Sequence, residues 1–567
     1  MRSASCSGNF TESSIGCCVI LACLCSCNPS SAAGTVRKPN IVFILADDLG
    51  YGDLRCYNAQ SKIPTPNLDR LASEGIRFTD AHAPDAVCTP SRYGILTGRY
   101  CFRSRLHSGV LSPWGAPLIE PGRLTVPELL RQHGYTTACI GKWHLGWDWP
   151  TRDGLPASST NGIGNVDFTK SLRGGPLACG FDSYFGVDLP NYPPYCFIQN
   201  DHTLGIPSIA APMEKGRMNR PGPMVPEWNL TNILPEITLR AVRVIEEAAK
   251  RSKPFFLFFS LTAPHYPIVP ASEFKGRSKA GDYGDFVAQV DATVGEVLNA
   301  LARSGLAANT LLFFSSDNGP EIVEIEPGAY ERIKHYGHRS MDGLRGVKRD
   351  IWEGGHRVPF LARWPGHIKA ATTSAETVCE VDLLATCANL LGAKLPHNAA
   401  EDSWNILPAL LGKKSRHPIR EATVLHSANG HFAIRQGDWI LIDAPTGDGA
   451  GAGHQDREPE WFKSERGYTT NSFPGELYNL REDLSERVNR YGEKPEVVER
   501  LKTLLEKYKR EGRSAPGLSQ HHNRNAPVLG RREANVIPGL RTFSASPLAS
   551  GVVPDDRAAP MPKKTLD

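Results

Sequence analysis

Several separate stretches of this 567-residue sequence carry side chains of the kinds that bind and transform an anionic group. The first is Cys88-Thr89-Pro90-Ser91-Arg92, continued by Tyr93-Gly94-Ile95-Leu96-Thr97-Gly98-Arg99. Pro90 is well placed to open a helix, which puts Cys88 at a positive helix end where an anion is favoured. Asp47-Asp48 and Asp317-Asn318 form a second group, three carboxylates and an amide. Such an all-oxygen set suits Ca2+ or Mg2+; alone, Asp-Asp after a strand reads as a turn or a helix cap. Lys142 and His144 in Gly141-Lys142-Trp143-His144-Leu145-Gly146, His265 in Ala263-Pro264-His265, and Lys348 in Gly346-Val347-Lys348-Arg349-Asp350 make the third group. Convergent cations stabilise charge that develops on a leaving oxygen, and an imidazole titrates near neutrality, so it can move a proton.

A fold that unites these residues must bring distant segments together. Residues 41–45, 255–261 and 310–314 are short, apolar and rich in β-branched or aromatic side chains, the pattern of buried parallel strands. Each runs straight into polar residues: Asp47-Asp48, Thr262-Ala263-Pro264-His265, and Ser315-Ser316-Asp317-Asn318-Gly319. Ligands of open α/β sheets bind beyond the carboxyl ends of the strands, so these three ends are expected to converge. Helical spacing at 67–74, 126–133, 234–250 and 286–304 fills the gaps, which predicts an α/β fold with helices flanking a mostly parallel sheet. From about residue 421 the texture changes to short strands at 423–426, 432–436 and 439–443, separated by Asn429-Gly430 and Gly437-Asp438. A small antiparallel sheet is predicted there, closed by a helix from Pro495 with Val498, Leu501, Leu505 and Tyr508 on one face.

The Cys88 motif with its Leu-Thr-Gly-Arg continuation resembles the signature of the type I formylglycine-dependent sulfatases, in the arylsulfatase A-like branch of the alkaline-phosphatase-like superfamily. The resemblance implies that Cys88 is oxidised to formylglycine (3-oxoalanine) by a formylglycine-generating enzyme. One hydroxyl of the hydrated aldehyde then serves as nucleophile and the other expels the bound sulfate, a second step closed to a plain thiol. It implies one Ca2+, with Mg2+ as the alternative, held by Asp47, Asp48, Asp317 and Asn318 together with residue 88. Lys142, His265 and Lys348 match the family's sulfate-binding positions and His144 the contact to the formylglycine hydroxyl, while Arg92 would hold residue 88 and the carboxylates in place. Of these, His265 is the better candidate to protonate the leaving oxygen. The likeness covers residues 37–515, including Glu476-Leu477-Tyr478-Asn479-Leu480, and implies a large mixed, mostly parallel sheet with a smaller C-terminal sheet and helix.

This divides the chain into a leader over 1–33, a catalytic domain over 37–420, a small α+β domain over 421–515 and a disordered tail over 516–567. The leader has Arg2, an apolar run over 15–27 and small residues through Ala33, the pattern of a cleaved export signal; the run is too short to span a bilayer. The five cysteines of the apolar run, with Leu24-Cys25-Ser26-Cys27, leave lipidation as an alternative, so the protein is expected to be periplasmic or secreted. Eight cysteines remain beyond the leader, read as core residues or disulfides apart from Cys88. A net charge of +4 without a basic, aromatic-interleaved stripe excludes a nucleic-acid partner, and oligomeric state is not legible. The expected substrate is a sulfated carbohydrate met outside the cell, with Arg103, His107, Asp201, His202, His338 and Arg345 as candidates for the pocket mouth. Two rivals stay open on residues alone: a phosphate- or phosphonate-ester hydrolase of the same superfamily, and a glycan-binding protein in which Cys88 stays a thiol.

Overall fold

Asn40–Ala46 (β1) is buried along its whole length because the sheet it belongs to is covered on both faces. Ile41, Phe43 and Leu45 enter one core, Val42, Ile44 and Ala46 the other. That explains a continuous apolar run where a half-exposed strand would alternate. The structure, a computed structural model, describes residues 38–159, 162–211, 220–322, 327–413, 415–449, 458–468 and 472–517. The expected leader and all but the first two residues of the expected tail lie outside the described residues.

The large sheet contains Ile76–Phe78 (β2), Thr136–Lys142 (β3), Ser183–Val187 (β4), Ile198–Gln199 (β5), His202–Thr203 (β6), Phe255–Ser260 (β7), Thr310–Ser316 (β8), Phe360–Arg363 (β9) and Thr372–Ser374 (β10) besides β1. Its ten strands run in the order β10-β2-β9-β8-β1-β7-β3-β4-β5-β6. The central strands β8, β1, β7, β3 and β4 are mutually parallel, and antiparallel pairs begin at β9 on one side and β5 on the other. Cys88–Thr97 (α2), Val126–Gln132 (α3) and Leu383–Leu391 (α6) pack on one face; Pro66–Ser73 (α1), Ile233–Ala248 (α4) and Gly281–Arg303 (α5) pack on the other. This is the α/β fold expected, and the three strands read from sequence are immediate neighbours. Among the strands missed is β3, whose Thr-Thr-Ala-Cys-Ile-Gly-Lys lacks a strong apolar run. Gly141 within it has φ 107°, and a Cβ there would lie 1.7 Å from the Ser260 carbonyl oxygen, so only glycine lets β3 lie against β7.

The second sheet is Thr423–His426 (β11), Phe432–Gln436 (β12), Trp439–Ile442 (β13) and Glu476–Asn479 (β14), antiparallel throughout. Pro495–Glu511 (α7) lays Val498, Leu501, Leu505 and Tyr508 onto Val424, Ile434, Leu441 and Leu477. The core they share also contains Tyr100 and Val381 from the larger part of the chain, so the small sheet is tied to it by apolar burial. All eight described cysteines are free, seven of them buried, so they pack as small apolar residues and none forms a disulfide. Among the described residues no helix is long and apolar enough to cross a membrane.

Candidate active site

The strand order β8-β1-β7-β3 sets four carboxyl ends side by side, and each delivers part of one polar cluster. Asp47 and Asp48 follow β1, Asp317 and Asn318 follow β8, His265 lies five residues past β7, and Lys142 is the last residue of β3. Asp48, His144 and Arg349 all adopt positive φ (67°, 55° and 85°). Backbone strain of this kind costs about 1–3 kcal/mol per residue and persists where surrounding structure enforces it. Here the amide of Asp48 donates to Asp317 Oδ1 at 3.2 Å, and that of Arg349 donates to the Ala86 carbonyl at 2.8 Å.

Helix α2 begins at Cys88 itself, two residues before the proline expected to open it; Pro90 is its third residue, where the missing N–H has no helical partner to lose. Every residue of α2 is buried. The Cys88 thiol points at the two carboxylates, 3.6 Å from Asp47 Oδ1 and 3.9 Å from Asp48 Oδ1. Burial pushes its pKa up to about 12, so as a plain cysteine it is a thiol and a poor nucleophile. Arg92, one turn along, donates through Nε and Nη2 to Asp317 Oδ2 at 3.0 and 2.7 Å, lies 3.3 Å from Asp47 Oδ1, and reaches the Lys142 carbonyl and Ser260 Oγ through Nη1. Arg92 thus contacts the carboxylates of both Asp317 and Asp47.

Lys142 Nζ donates to both oxygens of Asp47 at 2.9 and 2.8 Å, and Lys348 Nζ to Asp48 Oδ2 at 2.7 Å. Burial alone would raise the Asp47 pKa, but Lys142, His265, Arg92 and Lys348 together outweigh it and hold the carboxyl well below its usual range. Asp48 and Asp317 go the other way: burial dominates, and Asp317 is pushed up to about 6. Asn318 donates from Nδ2 to Asp48 Oδ1 at 2.8 Å, while its Oδ1 is buried without a partner. Donor atoms of Asp47, Asp48, Cys88 and His265 lie within 4.8 Å of one another. His265 lies in the same cluster, and Asp317 gives Oδ2 to Arg92 and one lone pair of Oδ1 to the Asp48 amide, which leaves Oδ1 capacity for an ion.

Both histidines are neutral. His265 Nδ1 lies 2.6 Å from the Tyr266 carbonyl and must donate to it, which leaves Nε2, 3.7 Å from Asp48 Oδ2, without a proton. Burial, helped by Lys348 and Lys142, takes its pKa down to about 3. His144 Nε2 donates to the Leu111 carbonyl at 3.1 Å, and its Nδ1 is a buried acceptor with no partner. Burial first, then Lys142 and Arg92, holds its pKa well below the usual value. Two contributors, Glu321 and Asp188, escaped the sequence reading. Glu321 takes both nitrogens of Arg349 at 2.6 and 2.7 Å and lies 3.5 Å from Lys348 Nζ. Asp188 accepts from the His144 amide and Trp147 Nε1. Glu321 follows Asn318-Gly319-Pro320 closely enough to have been found; Asp188 has no local signal.

Three of the six residues expected at a pocket mouth are structural. Arg103 is buried in a two-point pair with Asp402 (2.9 Å each) and also donates to the Tyr508 carbonyl. His338 is fully buried against Asp53 at 2.8 Å. Arg345 pairs with Glu458 at 2.8 Å beneath the rings of Trp352 and Tyr468. Their polar groups are satisfied by neighbours that sequence separation hides. His107, Asp201 and His202 are at the surface, and His202 is held by Asp201 and Ser171.

A mixed α/β sheet that gathers carboxylates, a cysteine-headed helix and two lysines about its parallel strand ends defines a site suited to hydrolysing an anionic ester. The Sulfatase family model matches residues 39–393, and the chain belongs to that family. It is 34% identical to an N-acetylgalactosamine-6-O-sulfatase of Bacteroides thetaiotaomicron, over 83% of this chain and 93% of that protein. With human arylsulfatase A the identity is 35%, over 83% and 88%. A solved structure from work on the metabolism of multiple glycosaminoglycans by Bacteroides thetaiotaomicron superposes with a TM-score of 0.71 at 32% identity, covering 83% of this chain and 99% of that one. The protein is therefore a sulfuric ester hydrolase.

Proposed function

We propose that this enzyme removes sulfate from a sulfated carbohydrate of the glycosaminoglycan class, using formylglycine made from Cys88. The observation that carries this reading is the aim of the Cys88 side chain, from the head of α2, at Asp47 and Asp48 between Lys142 and Lys348. The residues present fit a hard dication: carboxylate oxygens of Asp47 and Asp48 converge beside residue 88, and the buried Asn318 Oδ1 lacks a partner. Asp47, Asp48, Asp317 and Asn318 would hold Ca2+ beside residue 88, and the ion would neutralise sulfate oxygens as charge develops. Formylglycine would supply a nucleophilic hydroxyl and a second hydroxyl through which sulfate is released.

The chain's own residues do the rest. Lys142 and Lys348 bind the sulfate oxygens, and Arg92 keeps Asp47 and Asp317 aimed inward. His144 Nδ1 takes the proton whose loss from residue 88 releases sulfate. Lys348, whose ammonium form is favoured by Asp48 over the opposing effect of burial, is better equipped than neutral His265 to donate to the leaving oxygen. The carbohydrate assignment is supported by the names of the relatives and by the expected export leader, since sulfated polysaccharides are met outside the cell. Two measurements test it. The Cys88 peptide from protein made in its native host should carry the aldehyde, and defined sulfated mono- and oligosaccharides should be turned over with higher kcat/KM than a generic aryl sulfate. A fully unmodified Cys88 peptide from active enzyme would refute the first claim; a strong preference for the aryl sulfate would refute the second.

A further inference from the structure

A second cluster of potential ligands lies apart from the strand-end site. His82, at the end of the short strand Ala81–His82, and Glu353 and His356, at the two ends of the short helix Glu353–His356, are all fully buried. One donor atom from each falls within 4.8 Å of the others. His82 Nδ1 and His356 Nδ1 face each other at 3.0 Å. On the far side of each ring, His82 Nε2 is 3.0 Å from Asp80 Oδ1, and His356 Nε2 is 3.0 Å from the Ile351 carbonyl oxygen. A carbonyl oxygen only accepts, so His356 Nε2 carries a proton and in a neutral ring its Nδ1 is a bare lone pair; with Asp80 Oδ1, the nearer of its two partners, accepting from His82 Nε2, the neutral His82 ring has a bare Nδ1 as well. Two lone pairs at that distance repel unless a cation lies between them.

A proton would satisfy the nitrogens alone. The third donor argues for a metal: Glu353 gives Oε2 to Arg357 at 2.7 Å, while its Oε1 is buried with no partner. Arg435 Nη1 lies 2.5 Å from Asp80 Oδ1 and 3.2 Å from His82 Nε2, so it is engaged by the carboxylate and leaves the Nδ1 side clear. Two imidazoles on one zinc at about 2.0–2.1 Å would place their nitrogens roughly 3.3 Å apart in tetrahedral geometry, close to the spacing seen. Ligating histidines characteristically donate their other ring N–H to a carboxylate or a backbone carbonyl, the partners found here. Nitrogen donors select zinc-class ions over Ca2+.

We propose that His82, Glu353 and His356 hold a structural divalent ion of the zinc class, separate from the cation at the strand ends. The ion would staple the segment leading into Cys88 to the segment leaving Lys348, which already touch where the Ala83 amide donates to the His356 carbonyl at 2.7 Å. This inference does not depend on the chemistry proposed at Cys88.

Metal content of the full chain, purified without chelator and then equilibrated with zinc, tests it. About one zinc per chain is expected, with a rise in Tm on adding zinc to metal-stripped protein. Cobalt(II) in its place should give the strong visible absorption of a four-coordinate nitrogen-and-oxygen site, not the weak bands of six-coordinate oxygen. His356→Asn should lose that ion, and Glu353→Gln, which preserves shape, should weaken zinc binding at least tenfold. Should His356→Asn fail to fold, the wild-type cobalt spectrum and Glu353→Gln decide. No zinc uptake and no zinc-dependent Tm shift would mean that the pair holds only a proton and would overturn the proposal. Zinc retained at full stoichiometry by folded His356→Asn, or a purely oxygen-type cobalt spectrum, would overturn it as well.

Discussion

Arg103 and Asp402 use their own polar side-chain atoms fully: Arg103 donates from Nε, Nη1 and Nη2, and Asp402 accepts from Arg103, the Tyr100 amide and both the amide and hydroxyl of Ser514. At the strand ends, burial is as complete and charge as dense, yet His144 Nδ1 and Asn318 Oδ1 have no partner. An unsatisfied buried polar atom costs about 1–3 kcal/mol, so it is kept where a ligand or ion completes it. The strand-end cluster thus differs from the Arg103–Asp402 pair in the unfilled hydrogen-bonding capacity of its own members, not in burial or charge. Sequence reading, which sees only residue type, placed Arg103, His338 and Arg345 on the wrong side of that line.

The contrast can be broken by substitution. At the strand ends, Cys88→Ala should abolish sulfate release, by a factor on the order of 10⁴ or more, while Tm stays near wild type because a small buried side chain is replaced by another. Wild-type-like turnover would remove Cys88 from the chemistry. His144→Ala should lower kcat by about 10²–10⁴ through loss of its Nδ1 acceptor, with a much smaller effect on Tm; an unchanged kcat would leave His144 a packing residue.

Arg103→Ala should do the reverse, costing about 3–5 kcal/mol in thermal or denaturant unfolding by stranding Asp402, with KM for the sulfated substrate unaltered in the folded fraction. A raised KM with unaltered Tm would return Arg103 to the pocket. The smallest effect is a pH dependence at Asp188. Burial lifts this carboxyl from 3.8 to about 7, so the folded state holds a proton that the unfolded state releases. Stability from this group is fully present below about pH 4 and is lost as pH rises through about 7. Asp188→Asn keeps the acceptor for the His144 amide and Trp147, so its Tm advantage over wild type should widen between about pH 5 and pH 8. A gap independent of pH would contradict the raised pKa.

Much of the fold was legible because its signals are local. Continuous apolar runs mark strands covered on both faces, and the apolar stripe of α7 marks its packing side; β3 was lost because tertiary burial, not propensity, makes Thr136–Lys142 a strand. The chain by itself determined the residues of the strand-end cluster, since Cys88-Thr89-Pro90-Ser91-Arg92 and the polar residues after each strand are contiguous in sequence. Only the tertiary structure decided the pairings: that Lys142 lies on Asp47 and Lys348 on Asp48, that His265 and His144 are neutral, that Arg103 belongs to Asp402, and that His82 faces His356. Partners hundreds of residues apart leave no trace in local pattern. Protonation follows from burial and neighbouring charge, which exist only once the sheet has brought the strand ends together.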